Sequence, residues 1–210
     1  MKIGILGSGE VAQALGAGFL KHGHAVTLGT RSPEKLAAWK AKHAGGEVGS
    51  FADAGRFGEV LVLAVKGEAA ANALHAAESF AGKVVIDATN PIAAKPPQNG
   101  VLSFYTSGDD SQLERLQREF PQARLVKAFN SVGSADMVDP QFAGGKPSMF
   151  ICGADANAKA TVRGILDQFG WETEDMGGVE AARVIEPLAI LWCIPGFLRD
   201  DWRHAFKLLR

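Results

Sequence analysis

Residues 7–12 read Gly-Ser-Gly-Glu-Val-Ala, the first place where residue types and spacing could do chemistry. A β-rich run, residues 3–6, leads straight into them, and an Ala- and Gly-rich helical pattern follows. Gly-x-Gly-x-x-Ala between a strand and a helix is a phosphate-binding pattern. Gly7 would make the tight turn, Gly9 would leave room for a pyrophosphate, and Ala12 would let the helix pack closely on the strand. Free backbone N–H groups around Glu10 and Val11 would then meet the anion, with Ser8 in the same loop. The Glu10 side chain is expected to point to solvent, where it still favours the helix N-terminus. These residues predict a bound dinucleotide.

An acid roughly 20 residues past the glycines would accept the ribose hydroxyls of NAD. The chain instead reads Gly29-Thr-Arg-Ser-Pro-Glu-Lys35 there, and Glu34 falls beyond the start of the next helical pattern. Arg31 offers a planar fork of donors, Thr30 and Ser32 offer hydroxyls, and Lys35 returns one helical turn later. Together they suit a dianionic 2′-phosphate. The plainer reading is a surface Arg beside a Ser helix cap. The residue types favour NADP(H).

Alternating elements must bring these two segments together. Strands are predicted over residues 3–6, 25–28, 60–65, 84–87, 125–129, 149–152 and 171–175. Helices are predicted over 11–21, 33–43, 69–80, 111–120 and 156–169. This alternation implies an α/β fold of Rossmann type, a doubly wound and mostly parallel sheet with helices on both faces. Residues 1–176 would form the NADP-binding domain and residues 177–210 a short C-terminal helical extension. Residues 90–107 make the longest loop, of the kind that is usually functional or mobile.

Composition sets the limits. The 210 residues carry 22 Lys+Arg against 23 Asp+Glu, a formal charge of −1. That balance gives no reason to expect a nucleic-acid groove or an anionic membrane face. Glycine is in excess, with 25 residues, where roughly 7% is average. Gly23 and Gly170 are expected at helix ends and Gly29 at a turn. Cys152 and Cys193 lie in apolar runs without a second Cys or a His at ligand spacing, so they read as buried thiols and no metal is expected. The apolar start of the chain is too short for a signal peptide. The longest apolar stretch, residues 187–198, contains Pro195 and Gly196 and falls short of the roughly 20 residues of a membrane span. A soluble, cytoplasmic protein is expected.

Four motifs, Ile3-Gly-Ile-Leu-Gly-Ser-Gly9, Leu28-Gly-Thr-Arg-Ser-Pro-Glu-Lys35, Asp87-Ala-Thr-Asn-Pro91 and Val126-Lys-Ala-Phe-Asn130, occur in that order. With them the chain resembles the NADPH-dependent coenzyme F420 reductases and their wider bacterial relatives over nearly its whole length. The reductase domain of the STEAP-type metalloreductases is a more distant cousin. Ala12 stands where that family more often has a third Gly. The resemblance implies hydride transfer between NADP(H) and a flat, flavin-like acceptor (F420 or another flavin) laid against the nicotinamide. It places Gly7, Ser8, Gly9, Glu10 and Val11 at the phosphates and Thr30, Arg31, Ser32 and Lys35 at the 2′-phosphate. It puts Ala64, Val65 and Lys66 beside the adenine and ribose, Asn90 and Pro91 near the nicotinamide ribose, and Ala128 and Asn130 at the nicotinamide and acceptor. A homodimer built partly from the C-terminal helices is a further implication.

Transfer to a carbonyl usually needs a proton donor, whereas transfer to a flavin ring can proceed by positioning alone. The only tyrosine, Tyr105, is followed four positions later by Asp109, so no Tyr-x-x-x-Lys acid is present. His22, His24, His43, His75 and His204 fall in predicted helices or surface turns and read as structural or solvated. Lys66 and Lys127 remain, with Lys127 expected to point away from the cleft or to be a cation at the core's edge. No catalytic residue is assigned. Residues 177–210, rich in Trp and Phe, read as a core helix with a Pro-Gly break, a dimer interface or an acceptor-pocket wall. Two other functions stay open. A small hydroxyacid dehydrogenase or imine reductase relative shares the glycine pattern, but such enzymes carry a large helical domain that this tail cannot build. A non-catalytic NADP(H)-binding module would report redox state to a partner.

Overall fold

A sheet covered on both faces has no polar side, so its strands are short, continuous apolar runs. A computed structural model describes residues 1–210. In it β1 (Lys2–Leu6), α1 (Glu10–Lys21), β2 (Ala25–Gly29), α2 (Ala37–Lys42), β3 (Gly46–Gly49), α3 (Phe51–Phe57) and β4 (Val60–Leu63) follow one another. Then come α4 (Ala70–Ala77), β5 (Val84–Asp87), α5 (Gln112–Glu119) and β6 (Arg124–Lys127). These strands form one six-stranded sheet in the order β3-β2-β1-β4-β5-β6, parallel at every pairing. This is the Rossmann-type fold: the order reverses between β1 and β4, and a crevice opens beyond their carboxyl ends.

Registers align those ends. Leu6 pairs with Gly29 and with Leu63, Leu63 with Asp87, and Asp87 with Lys127. The ladder runs one residue further, since Gly7, Ala64, Ala88 and Ala128 donate their N–H groups to Gly29, Leu6, Leu63 and Asp87. The residues that follow each strand therefore form a single row along the crevice.

Several sequence expectations need correction. The runs at 149–152 and 171–175 do not extend the main sheet. They become β7 (Ser148–Ile151) and β8 (Glu172–Asp175), a separate two-stranded parallel sheet with α6 (Ala156–Gln168) between them. One antiparallel bridge, Lys127 to Cys152, joins this pair to β6. A parallel addition needs a crossover, usually helical, and between β6 and β7 there is only a 3-10 turn, Ser134–Asp136. β6 stops at Lys127 because Phe129 takes a left-handed backbone, φ 63°. The predicted helix over 33–43 splits into a 3-10 turn, Pro33–Leu36, and α2.

Both β3 and α3 were missing from the predicted elements. β3 is a Gly-Glu-Val-Gly edge strand without an apolar run. α3 starts at a capping box: the Ser50 side chain accepts the Asp53 N–H, and Asp53 accepts the Ser50 N–H, the reciprocal pattern that fixes a helix start.

Two hydrophobic clusters cover the two faces. One holds Phe19, Trp39, Phe129, Phe169 and Trp171; the other gathers α3, α4 and α5 residues with Ala182 and Ile185 of α7 (Ala182–Ile185). α8 (Pro187–Arg199) does not break at Pro195. The chain turns instead at Asp200, φ 55°, and folds back so that Trp202 lies 5.8 Å from Trp192, ring to ring. The Trp192 indole N–H donates to the His204 carbonyl at 2.8 Å. The helical run Val179–Arg199 has 21 residues, and its most apolar stretch has a mean hydropathy of 1.5 with 33% of that stretch buried inside the protein; by length and composition alone the run could cross a membrane. It outruns the apolar stretch counted in the sequence because residues 179–186 join it.

Glycine brings α3 onto the sheet. A Cβ on Gly4 would lie 2.2 Å from the Ala54 carbonyl oxygen, and one on Gly29 would lie 2.8 Å from the Ala54 Cβ. Gly29 thus serves this close approach and not a turn. Gly4→Ala is expected to cost about 1–3 kcal/mol through overpacking, lowering the melting temperature by roughly 2–4 °C for each of them. Thermal denaturation followed by circular dichroism measures this, and an unchanged midpoint would mean that α3 moves away freely.

Candidate functional site

Gly7 ends β1 with φ 153°, and a Cβ there would stand 2.2 Å from the Ala64 carbonyl oxygen and 3.2 Å from the Ala12 side chain. Any larger residue pushes α1 off β4. Gly9 differs: a Cβ at this position meets nothing within 4 Å. It is the N-cap of α1 and supplies no side-chain cap. The first helical hydrogen bond runs from Gln13 to Gly9 at 3.0 Å, so the N–H groups of Glu10, Val11 and Ala12 lack helical acceptors. Open space in front of uncapped amides is the arrangement that accepts an anion.

From this loop a groove of about 680 Å³ runs between α1 and α4. Ser8, Gly9, Glu10, Val11, Arg31, Ala64, Val65 and Lys66, all singled out in the sequence, line it together with Phe51, Ala69, Asn72, Ala73, Ala76 and Ala88. The latter six are outside the sequence expectation. Phe51 belongs to α3, and the Ser-x-x-Asp spacing at 50–53 was the available signal for it. Asn72, Ala73 and Ala76 share the groove-facing side of α4, which reads in sequence as plain helix.

Beyond Arg31 the groove continues into a smaller cavity that also takes Thr30, Pro33, Ser50 and Phe51. Thr30 is buried, and its hydroxyl accepts the Ser32 N–H at 3.1 Å, shaping the turn. Ser32 makes no side-chain capping bond to the 3-10 turn it precedes. Lys35 lies in that turn, exposed, and lines neither cavity. The nearby carboxylate of Asp53 is held below its usual range by hydrogen bonds from Ser50 and by Arg56, so it stays charged and turned away to the capping box.

At the other end, Val65, Lys66, Gly67, Glu68, Ala88, Thr89, Asn90 and Ile92 surround a cavity of about 340 Å³. Pro91 is buried behind Asn90. Ala128 is fully buried and Asn130 is 4% exposed, so both lie behind this wall and do not border the open space. Asn90 Nδ2 donates to the Asn130 carbonyl at 2.8 Å. The left-handed Phe129 between Ala128 and Asn130 costs about 1–3 kcal/mol of backbone strain. Its buried ring and its N–H bond to the Met149 sulfur at 3.2 Å hold it there.

Lys127 is not a cation at the core's edge, one of the two placements the sequence allows. It is wholly buried, 2.6 Å from Asp87 and 2.9 Å from Glu186. Burial alone would lower its pKa, but the two carboxylates more than reverse this and hold it above the usual value. The Tyr105 hydroxyl donates to Gln112, and burial, with Glu186 nearby, pushes its pKa up to about 12.

The family model described as NADP oxidoreductase, coenzyme F420-dependent, matches residues 2–91. The crystal structure of a proposed F420-dependent NADP-reductase from Arthrobacter sp. FB24 superimposes with a TM-score of 0.93, at 34% identity, over 100% of both chains. The chain belongs to the coenzyme F420-dependent NADP oxidoreductase family. It is a family of NADP-dependent oxidoreductases, and nicotinamide dinucleotides are what its members bind. Metalloreductase STEAP3 of Rattus norvegicus is 32% identical over 94% of this chain, which spans 39% of that protein's length. A reductive aminase from Aspergillus terreus, solved with NADPH, shares the fold at 21% identity and a TM-score of 0.69, over 95% of this chain and 63% of that one.

Because Gly9 faces open space, Gly9→Val is expected to leave the melting temperature nearly unchanged. Dinucleotide binding should weaken about 10-fold or more, the loss of one charged hydrogen bond or greater. Calorimetric titration paired with thermal denaturation checks both; unaltered binding would place the phosphates elsewhere.

Proposed function

We propose that the chain is an NADPH-dependent reductase that delivers a hydride to a flat, flavin-like ring, coenzyme F420 or another flavin. One observation carries the cofactor choice. Arg31 stands at the carboxyl end of β2, lining both the main groove and the cavity next to it, and no carboxylate takes the ribose position. In this reading Arg31 grips the 2′-phosphate with help from Ser32, while exposed Lys35 adds positive charge. Phe51 and Ala76 flank the adenine. The loop of Gly7, Ser8, Gly9, Glu10 and Val11 holds the pyrophosphate, and Ala64, Val65 and Lys66 follow the ribose. Asn90 meets the nicotinamide end, backed by Pro91, Ala128 and Asn130.

When bound, NADPH supplies the hydride. The protein's part is then orientation and exclusion of water. The walls at that end are mostly small or aliphatic: Val65, Ala88, Ile92 and Ala93, with Lys66 and Glu68 at the rim. Tyr105 has its hydroxyl committed to Gln112 and is a poor acid, so the geometry favours an acceptor ring that needs no proton donor from this chain. The apolar side of α8, with Leu191, Phe197 and Leu198 exposed, is the face we assign to a second copy of the chain.

Arg31→Glu is expected to weaken NADPH binding at least about 10-fold, within the 1.5–3 kcal/mol of a hydrogen bond to a charged group, while NADH binding changes little. Equal losses for both would mean that Arg31 does not read the phosphate. Mixing the protein with NADPH and a panel of F420, FMN, FAD and quinones tests the reaction by loss of absorbance at the reduced nicotinamide band. Oxidation is expected with at least one ring; none with any would favour a binding module that does not turn over.

A further inference from the structure

Three distant segments meet beneath the turn that follows β5. Asp87 Oδ1 accepts the Thr89 backbone N–H at 2.9 Å and the Thr89 hydroxyl at 2.6 Å. Asp87 Oδ2 takes Lys127 Nζ at 2.6 Å, and the same ammonium donates to the Thr89 carbonyl at 3.0 Å. Gln112 Nε2 adds a bond to the Thr89 hydroxyl at 2.5 Å. The N–H, carbonyl and hydroxyl of one residue are thus all held by buried partners.

Glu186, at the junction of α7 and α8, locks this arrangement from the far side. One carboxylate oxygen accepts Lys127 Nζ and the Leu113 N–H, and the other accepts the Gln112 N–H at 3.0 Å. Its neighbour Ile185 accepts from Asn130 Nδ2 at 2.9 Å, and the Asn130 carbonyl holds Asn90. Two strings of hydrogen bonds therefore run from one C-terminal junction to Thr89 and to Asn90, both of which line the far cavity. A buried ammonium and two buried carboxylates are rarely better for stability than apolar side chains of the same volume. Here their bonds converge on one turn.

We propose that the Ile185–Glu186 junction and the Asp87–Lys127 pair are positioning residues that fix the Thr89–Pro91 turn and so set where the nicotinamide ring lies. This rests on the assignment of that turn to the nicotinamide end of the groove. The C-terminal segment acts on the site through Lys127 and Asn130, without touching the cofactor.

The test compares two ligands, NADPH and 2′-phospho-ADP-ribose, the same molecule without its nicotinamide. Calorimetry is run on the unaltered protein and on Thr89→Val, Thr89→Ser and Glu186→Gln, with melting temperatures measured in parallel. Thr89→Val keeps every charge paired and serves as the readout if Glu186→Gln does not fold. Binding of the fragment is expected to stay within about 2-fold throughout. NADPH binding should weaken about 10-fold in Thr89→Val and Glu186→Gln, one hydrogen-bonded contact's worth. Thr89→Ser, which retains the hydroxyl, should match the unaltered protein. Equal weakening of both ligands, or no weakening of either in a folded variant, overturns the clamp alone. If the unaltered protein binds the two ligands equally, the nicotinamide does not reach this turn, and the assignment falls together with the proposal.

Discussion

A single buried ammonium sets the terms for much of this protein. Lys127 has no contact with water, and removing a charge from water costs several kcal/mol unless partners replace the solvent. Its partners come from β5 and from the junction before α8, so the sheet and the C-terminal helices cannot separate without stranding it. The carboxylates leave an excess negative charge, which the first N–H groups of α5 offset by donating to Glu186. Those amides would be orphaned at any helix start, and here a residue far along the chain satisfies them. Secondary structure, packing and electrostatics are settled at one point.

The groove has a simpler cause. Parallel strands in level register release their chains in one row, and the reversal between β1 and β4 parts the connections there. Gly7 keeps α1 against that row, while the glycines beneath α3 lower Phe51 to the rim. The groove is lined mainly by small and apolar residues, with Glu10, Arg31 and Lys66 as its charged side chains. That economy explains how so little recognisable catalytic chemistry can coexist with a well-shaped crevice.

What the sequence showed follows from how local each signal is. Residues 3–12 carry strand, turn and helix in ten positions, and the groove begins there. Thr30 to Lys35 displays its charge pattern without help from the fold. Register, by contrast, is not written locally. Asp87 and Lys127 face each other because β5 and β6 pair level, and nothing near either residue announces it. Glu186 lies further still, inside an apolar run where a lone acid looks solvated. Residues 128–130 lie behind the cavity wall, since one left-handed residue, Phe129, turns the chain away from the opening. β3 was missed because an edge strand of two glycines leaves no apolar run.

The folded-back tail has an optical consequence. Trp192 and Trp202 lie close enough for their indole transitions to couple, with His204 stacked 5.1 Å from Trp192. Trp39 and Trp171 sit apart in the main core, each with its indole N–H bonded to a backbone carbonyl. The near-ultraviolet spectrum therefore contains a paired chromophore belonging only to the C-terminal segment. Loosening of that segment would remove its coupled signal while the two core indoles kept their buried surroundings.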